Sequence, residues 1–186
     1  MAEQIRLFDE VGDSAVTAEE FAAELAMIGG DVELHVNSPG GDVFDGLAIY
    51  STLAARPGRV AVVVDGLCAS IASVIAMAAS PGQLTVAPAG VFMIHEAWAL
   101  CCGPEADMRK MADRLAGMSE ILASVYAGRT GRPAAVWRDA MRAETWYSSD
   151  ESVTAGLADR VQAPAPAFTD FDAAEMAGLR AAFRLD

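Results

Sequence analysis

Cysteine, histidine and basic residues are all scarce in this sequence, and each shortage excludes a class of function. The three cysteines are an odd number and two are adjacent, which fits neither a disulfide framework nor a cysteine metal site and favours a reducing cytoplasm. With two histidines and no carboxylate cluster at ligand spacing, we predict no metal, and we expect no other cofactor. Lysine and arginine number 13 against 26 acidic residues, and the net charge of −13 argues against a nucleic-acid partner.

Long apolar runs are also missing. No stretch reaches the roughly 18 to 20 uninterrupted apolar residues that a membrane-spanning helix needs. The longest candidate, Val60 to Ala79, is broken by Asp65 and Gly66. The N-terminus lacks a basic region followed by an apolar one, so we expect no signal peptide. Apolar residues still make up 53% of the chain, which is enough for one folded cytoplasmic domain with no membrane partner.

The apolar patterns along the chain predict strands that alternate with helices. Strand-like and helix-like segments follow each other from Ile5 onwards, and capping-box sequences at Thr17–Glu20 and Ser148–Glu151 mark two helix starts. This alternation indicates an α/β domain with a mostly parallel sheet. We expect the domain to cover residues 1–162, followed by a Pro/Ala-rich linker and a C-terminal helix or disordered tail over residues 163–186.

The segment that leads into Ser70 is the most informative stretch. Val60 to Val64 is rich in β-branched residues and predicts a buried strand, which Asp65-Gly66 should end in a sharp turn. The small and apolar residues from Ala69 onwards predict about three turns of buried helix, with Ser70 at its start. Free N–H groups and the helix dipole favour negative charge there, which suits a serine that forms an oxyanion intermediate. The alternative is that Ser70 only caps the helix.

Two further features of the sequence could act together with Ser70. Asn37–Gly41 is a glycine turn at a strand end that can expose backbone N–H groups, and His95 ends a buried apolar strand. Taken singly, the first is an ordinary turn and the second is a hydrogen-bonded core histidine. His35 shares the polar face of its strand with Glu33 and is interpreted as structural.

Five motifs follow one another in a fixed order: Val36-Asn-Ser-Pro-Gly-Gly-Asp-Val43, Gly46-Leu-Ala-Ile-Tyr50, Asp65-Gly-Leu-Cys-Ala-Ser70, Met93-Ile-His95 and Ala155-Gly-Leu-Ala-Asp159. Together they resemble the ClpP family of serine peptidases, over residues 32 to 161. Three further segments look like the ClpP-like head maturation proteases of tailed phages and prophages: Ile5-Arg-Leu-Phe-Asp-Glu-Val-Gly12, Thr17-Ala-Glu-Glu-Phe21 and Glu144-Thr-Trp146. In that branch the peptidase trims capsid or scaffold proteins during prohead assembly.

The resemblance implies a role for each matched position. Ser70 would attack the peptide carbonyl, and His95 would take its proton and pass it to the leaving amine. The backbone N–H groups of Gly41 and Ile71 would form the oxyanion hole. Glu144 would be the acid that orients the histidine, which gives the chain order serine, histidine, acid.

The sequence departs from the family pattern in two places. Cys68 stands where ClpP has an alanine, an exchange of one small residue for another that puts little in doubt. Glu144 stands where ClpP carries an aspartate, and its additional methylene changes the reach of the carboxylate. Asp150 is the alternative acid, although its place inside a capping box favours a role in starting a helix.

The resemblance also implies an assembly. In the family fold a handle protrudes between subunits, and residues 97–128 match it. We therefore expect a ring-forming homo-oligomer that cleaves polypeptides, while a Clp-type ATPase partner is doubtful. The handle helix carries an apolar seam that could pack on its own sheet or on another subunit: Met108, Met111, Leu115, Met118, Leu122 and Val125. The alternatives are a non-catalytic ring or scaffold subunit and a crotonase-type acyl-coenzyme A enzyme of the same architecture.

Overall fold

The chain is built around a seven-stranded sheet with helical connections among the described residues. A computed structural model describes residues 2–13 and 15–163, so the predicted linker and C-terminal helix or tail lies, beyond residue 163, outside the described residues. The strands are β1 Glu3–Leu7, β2 Val32–Ser38, β3 Val60–Ala69, β4 Leu84–Val86, β5 Val91–Ile94, β6 Thr145–Tyr147 and β7 Arg160–Val161. The helices are α1 Ala18–Ala26, α2 Val43–Ala54, α3 Ile71–Ala76, α4 Glu105–Thr130, α5 Ala134–Arg142 and α6 Ser149–Ala155.

The sheet is parallel except at one edge. Its main path runs β1-β2-β3-β4-β7 with every neighbouring pair parallel. β5 pairs parallel with the far half of β3 and antiparallel with β6. Helices lie between most of the successive parallel strands, as the alternating pattern predicted. The expected α/β fold, a mostly parallel sheet flanked by helices, is confirmed.

Strand β3 changes partner half-way along its length. Val62–Val64 pair with β4, whereas Leu67–Ala69 pair with β5. The prediction that Asp65-Gly66 ends this strand is therefore wrong, because β3 runs on to Ala69. Because the strand continues, Ser70 lies beside the end of β5 and not at the end of a loop.

The partner change coincides with an irregularity in β2. The pairing of β2 with β3 shifts register between Val36 and Ser38. Asn37 Oδ1 accepts a 2.9 Å hydrogen bond from the N–H of Leu67 at this point, so the side chain replaces a missing backbone acceptor. A side-chain bridge of this kind keeps β3 attached to β2 on both sides of the irregularity.

Helix α3 is short and fully buried. It has six residues instead of the predicted three turns, because the N–H groups of Met77 and Ala78 bond to carbonyls three residues back and the chain leaves the helix in a tighter turn. Gly46 on α2 allows α3 to pack closely, since an added β-carbon there would overlap Ile71 Cγ1. This packing holds the first turn of α3, and Ser70 before it, against the sheet.

Both predicted capping boxes are present. Thr17 and Glu20 cap α1 reciprocally, and Ser148 and Glu151 do the same at the start of α6. Each box satisfies two N–H groups that a helix start leaves without partners.

Helix α4 is the longest element, and mainly its C-terminal half packs on the domain. Leu122, Ala123 and Tyr126 are buried, whereas Met108 near the other end is 47% exposed. The predicted apolar seam therefore packs on the domain's own core only in part. Residues 97–104, ahead of this helix, form no strand. Within the described residues, no helix is long and apolar enough to cross a membrane.

Candidate active site

Ser70 lies at the junction of β3 and α3 in an unusual backbone conformation. Its φ is 55° and its ψ is −130°, and it is one of two non-glycine residues with positive φ in the described part of the chain. Its side chain makes no capping hydrogen bond to α3, so the interpretation of Ser70 as a simple helix cap is wrong. A strained residue of this kind costs roughly 1 to 3 kcal/mol and is typical of functional sites.

The hydroxyl of Ser70 instead contacts His95. Its Oγ lies 2.7 Å from His95 Nε2. The contact arises because β3 and β5 are parallel neighbours, and the N–H of Ser70 bonds to Met93 O at 2.9 Å. Both side chains therefore emerge at the carboxyl ends of adjacent strands, where α/β sheets commonly bind ligands. A histidine nitrogen at this distance can accept the serine proton and raise the nucleophilicity of the oxygen.

The Ser-Pro-Gly-Gly turn lies directly against this pair. An added β-carbon on Gly40 would lie 2.7 Å from Ser70 Cβ, and one on Gly41 would overlap Val11 O. Val11 holds the turn from the other side, since its N–H bonds to Gly40 O and its carbonyl accepts from the N–H of Asp42, each at 2.7 Å. Glycine is required at both positions because a side chain would push the turn off its neighbours.

The N–H groups of Gly41 and Ile71 are among the backbone donors of this region that have no acceptor in the described part of the chain. In the parallel bridge with Val11, the flanking residues of Gly41 make the hydrogen bonds and its own N–H is left free. Ile71 is the first residue of α3, whose N–H has no partner within the helix. Free donors beside a nucleophile can stabilise an oxyanion.

One cleft holds all four of these groups. It has a volume of about 740 Å³, and Ser70, His95, Gly41 and Ile71 all line it. Its wall also carries five carboxylates and, among its lining residues, no lysine or arginine: Glu10, Asp13, Asp42, Asp45 and Glu96. Sequence reasoning gave no role to Glu10 or Asp13, although both lie in or beside a segment quoted for its resemblance.

The two candidate acids lie outside this cleft lining. Glu144 directly precedes β6 and His95 directly follows β5, so each lies one residue beyond the paired Ile94 and Thr145. Glu144 is the second non-glycine residue with positive φ, at 49°. Asp150 lies in the first turn of α6, beside the capping box. Among the described residues, no carboxylate is hydrogen-bonded to His95, and each assignment stays a prediction.

Buried side chains behind Ser70 and His95 were missed by sequence reasoning. Ser73 Oγ donates to the carbonyl of Ser70 at 2.5 Å and lies 2.7 Å from the hydroxyl of Tyr126. Ser119 Oγ accepts a 3.0 Å hydrogen bond from the N–H of Ala97, two residues after His95. For Ser73, the available signal was a polar residue in an otherwise apolar helical segment.

Cys68 is not a competing nucleophile. It is completely buried two residues before Ser70, and burial raises the pKa of its thiol well above the ordinary value. A protonated, inaccessible thiol is unreactive. All three cysteines are unpaired.

His35 belongs to a separate polar cluster. Its Nδ1 lies 2.8 Å from Asp65 Oδ2 and its Nε2 lies 3.2 Å from Glu33 Oε1. It does not line the cleft, which agrees with its interpretation as structural.

The pairing of a strained serine with a histidine, beside free backbone donors, is the arrangement of a serine-type hydrolase. The family model described as Clp protease matches residues 2–165, so this chain belongs to the Clp protease family and is a serine-type peptidase. Members of this family form oligomeric rings and cleave polypeptides. This assignment replaces the crotonase-type alternative.

Three bacterial relatives illustrate the similarity. ATP-dependent Clp protease proteolytic subunit 3 of Rhodococcus jostii is 32% identical over 162 residues, covering 84% of this chain and 79% of the relative. The ATP-dependent Clp protease proteolytic subunit of Bacteroides fragilis is 30% identical, covering 78% and 72%. Subunit 3 of Streptomyces coelicolor is 31% identical, covering 82% and 70%.

Proposed function

We propose that this protein is a serine endopeptidase in which Ser70 is the nucleophile and His95 the general base. The observation that carries the proposal is the 2.7 Å contact between Ser70 Oγ and His95 Nε2, in a cleft open to a polypeptide. The strained φ of Ser70 and the burial of Cys68 support serine over cysteine chemistry.

The reaction proceeds through an acyl-enzyme. Ser70 Oγ attacks the substrate carbonyl carbon while His95 Nε2 takes the hydroxyl proton. The N–H groups of Gly41 and Ile71 donate to the negative oxygen of the tetrahedral intermediate. Collapse of the intermediate breaks the C–N bond, and His95 passes the proton to the leaving amine. Water, deprotonated by His95, then attacks the acyl-enzyme and releases the second product.

We assign Glu144 as the acid that orients His95. Support comes from its position next to the paired Ile94 and Thr145, which His95 also adjoins, and from its positive φ, which is uncommon for a residue with a β-carbon. The antiparallel pairing of β5 with β6 brings the backbones next to Glu144 and His95 close together, so that their side chains can interact.

We further propose that the peptidase acts as a homo-oligomer in phage or prophage head maturation and trims capsid or scaffold proteins. The three segments that resemble this branch have structural roles. Ile5–Gly12 supplies part of β1 and of the cleft wall, Thr17–Phe21 starts α1, and Glu144–Trp146 supplies the candidate acid and part of β6. The relatives are named ATP-dependent, whereas we expect this protein to cleave exposed segments without an ATPase.

A fluorophosphonate probe tests the nucleophile. The purified oligomer should be labelled at Ser70, as mapped by peptide mass spectrometry, and labelling should vanish in Ser70→Ala and His95→Ala. Ser124→Ala is the matched control, because Ser124 is an exposed serine on α4 outside the cleft. An unlabelled but folded, oligomeric wild type would instead favour the non-catalytic ring subunit.

Product analysis tests the biological role. The wild type, without ATP or any partner, is incubated with casein and with an assembled capsid and scaffold mixture. Discrete trimmed products from the capsid or scaffold proteins support head maturation. Complete conversion to short peptides, or a requirement for an added Clp ATPase, would contradict it.

A further inference from the structure

The carbonyl of Ser70 is held by two hydrogen bonds from one residue. The N–H of Ser73 donates at 3.0 Å and its Oγ donates at 2.5 Å. The first bond belongs to the turn of helix, whereas the second is an addition that only a hydroxyl can make. Ser73 is completely buried, so its hydroxyl is shielded from water.

The hydroxyl of Ser73 is held in turn by Tyr126 on α4, at 2.7 Å. A serine hydroxyl has one hydrogen, and that of Ser73 is used on Ser70 O, so the Tyr126 hydroxyl must be the donor between them. Burial raises the pKa of Tyr126 above its ordinary value, which keeps this donor protonated. The result is a directed chain from Tyr126 to Ser73 to the backbone of Ser70.

The ring of Tyr126 cannot move freely. It packs against Trp137 of α5 with ring centroids 5.5 Å apart, and both side chains are almost fully buried. Thr130 Oγ1 donates to the carbonyl of Tyr126 and accepts from Trp137 Nε1. The end of the hydrogen-bond chain is therefore fixed in the core of the domain.

We propose that Ser73 and Tyr126 are positioning residues that orient the N–H of Ile71 as an oxyanion donor. The carbonyl of Ser70 and the N–H of Ile71 belong to one planar peptide unit, so fixing the first fixes the direction of the second. The same unit follows the strained φ of Ser70, and without the additional hydrogen bond only the N–H of Ser73 would hold it against rotation towards a relaxed conformation. This inference rests on the proposed serine peptidase function.

Three variants test the hydrogen-bond chain. Ser73→Ala should lower kcat about tenfold and leave KM within twofold, because an oxyanion donor acts mainly in the transition state. Tyr126→Phe keeps the ring against Trp137 but removes the hydroxyl that holds Ser73. It should lower kcat by about threefold, because Ser73 still bonds to the Ser70 carbonyl but is less well oriented. The double variant should match Ser73→Ala alone, because Tyr126 acts only through Ser73.

Ser152→Ala is the matched control. Ser152 is also completely buried, and its Oγ donates to a helix carbonyl three residues back, that of Ser149, at 2.7 Å. It lies outside the cleft and should lose stability without losing kcat. A peptide boronic acid, which forms a tetrahedral adduct, should lose affinity in Ser73→Ala in proportion to kcat and keep it in Ser152→Ala.

The outcomes separate this inference from the function on which it rests. If wild-type Ser70 is not labelled by the fluorophosphonate, the peptidase proposal has failed. If the wild type is labelled and active while Ser73→Ala matches Ser152→Ala in kcat and in boronate affinity, Ser73 is structural and the inference is overturned. If the losses in kcat of the two single variants add in the double variant, Tyr126 does not act through Ser73 and the proposed hydrogen-bond chain is contradicted.

Discussion

Replacing Gly40 with alanine measures how much the close contact between the glycine turn and Ser70 contributes to catalysis. Gly40 has a φ of +92°, and an added β-carbon would lie 2.7 Å from both Ala69 O and Ser70 Cβ and 3.0 Å from Ile71 N. Carbon atoms pack at about 3.5 to 4.0 Å, so the turn would have to retreat by roughly 0.8 Å. That movement carries the N–H of Gly41 away from Ser70.

The size of the effect has a conformational part and a steric part. A β-carbon in the left-handed region costs about 1 to 2 kcal/mol in free energy of unfolding. Retreat of the turn also removes the Gly41 donor from the 2.7 to 3.1 Å range in which it can stabilise an oxyanion, and losing one such donor lowers kcat by about 100- to 1,000-fold.

Gly82→Ala is a control that measures the conformational cost without the steric effect. Gly82 has a φ of +74°, and an added β-carbon there meets nothing within 4 Å. This variant should lose about 1 to 2 kcal/mol of stability and keep full activity. Both variants are compared by thermal unfolding and by kcat on a fluorogenic peptide. If Gly40→Ala stays within threefold of the wild-type kcat, the turn does not supply an oxyanion donor and the reasoning is refuted.

The remaining predictions concern the acid, the charge of the cleft and one helix start. Glu144→Gln should lower kcat by about 1,000- to 10,000-fold while Asp150→Asn stays within threefold, and the reverse result would transfer the role to Asp150. Peptides with lysine or arginine beside the cleaved bond should have a kcat/KM about three- to tenfold above that of glutamate counterparts, because the cleft wall is acidic. Raising salt from 0.1 M to 1 M should shrink that ratio, since the Debye length falls from about 10 to 3 Å, and a constant ratio would exclude an electrostatic cause. Hydrogen bonds from Ser148 lower the pKa of Glu151, so the stability from this carboxylate is present above its unfolded pKa and is lost as the pH falls through its lowered folded pKa. Glu151→Gln should therefore flatten the fall of Tm in acid, and an unchanged Tm profile would show that the box does not couple to folding.

Local signals predicted much of this structure. The capping box of Thr17 and Glu20 marked a helix start because its two hydrogen bonds join residues only three positions apart. The alternation of Val32, Leu34 and Val36 predicted β2 because the apolar side of a half-buried strand has a period of two. Such signals depend on a few neighbouring residues and can be recognised without knowing the fold.

Several of the errors and omissions involve distant partners. Asp65-Gly66 has the composition of a turn, but β2 and β5 supply hydrogen bonds on either side and the strand continues. β6 and β7 have three and two residues, too few to show a period, and their neighbours alone define them as strands.

The candidate site divides in the same way. Ordered motifs predicted Ser70, His95, Gly41 and Ile71, and the structure brings all four into one cleft. The bond between Ser73 and Tyr126 could not be predicted, because it joins residues 53 positions apart and each is ordinary in its own segment. The proposed contact of Glu144 with His95 depends on the directions of both side chains, which the sequence does not determine.

The long separation between Ser73 and Tyr126 also determines when activity can first appear during synthesis. Ser70 and His95 are 25 residues apart and can meet as soon as β3 and β5 pair, but the anchor for the Ser70 backbone comes from a helix made later. The growing chain would therefore carry a nucleophile without a fixed oxyanion donor until α4 has emerged and packed. On the proposed mechanism, the unfinished chain should therefore cleave its neighbours more slowly than the finished domain does.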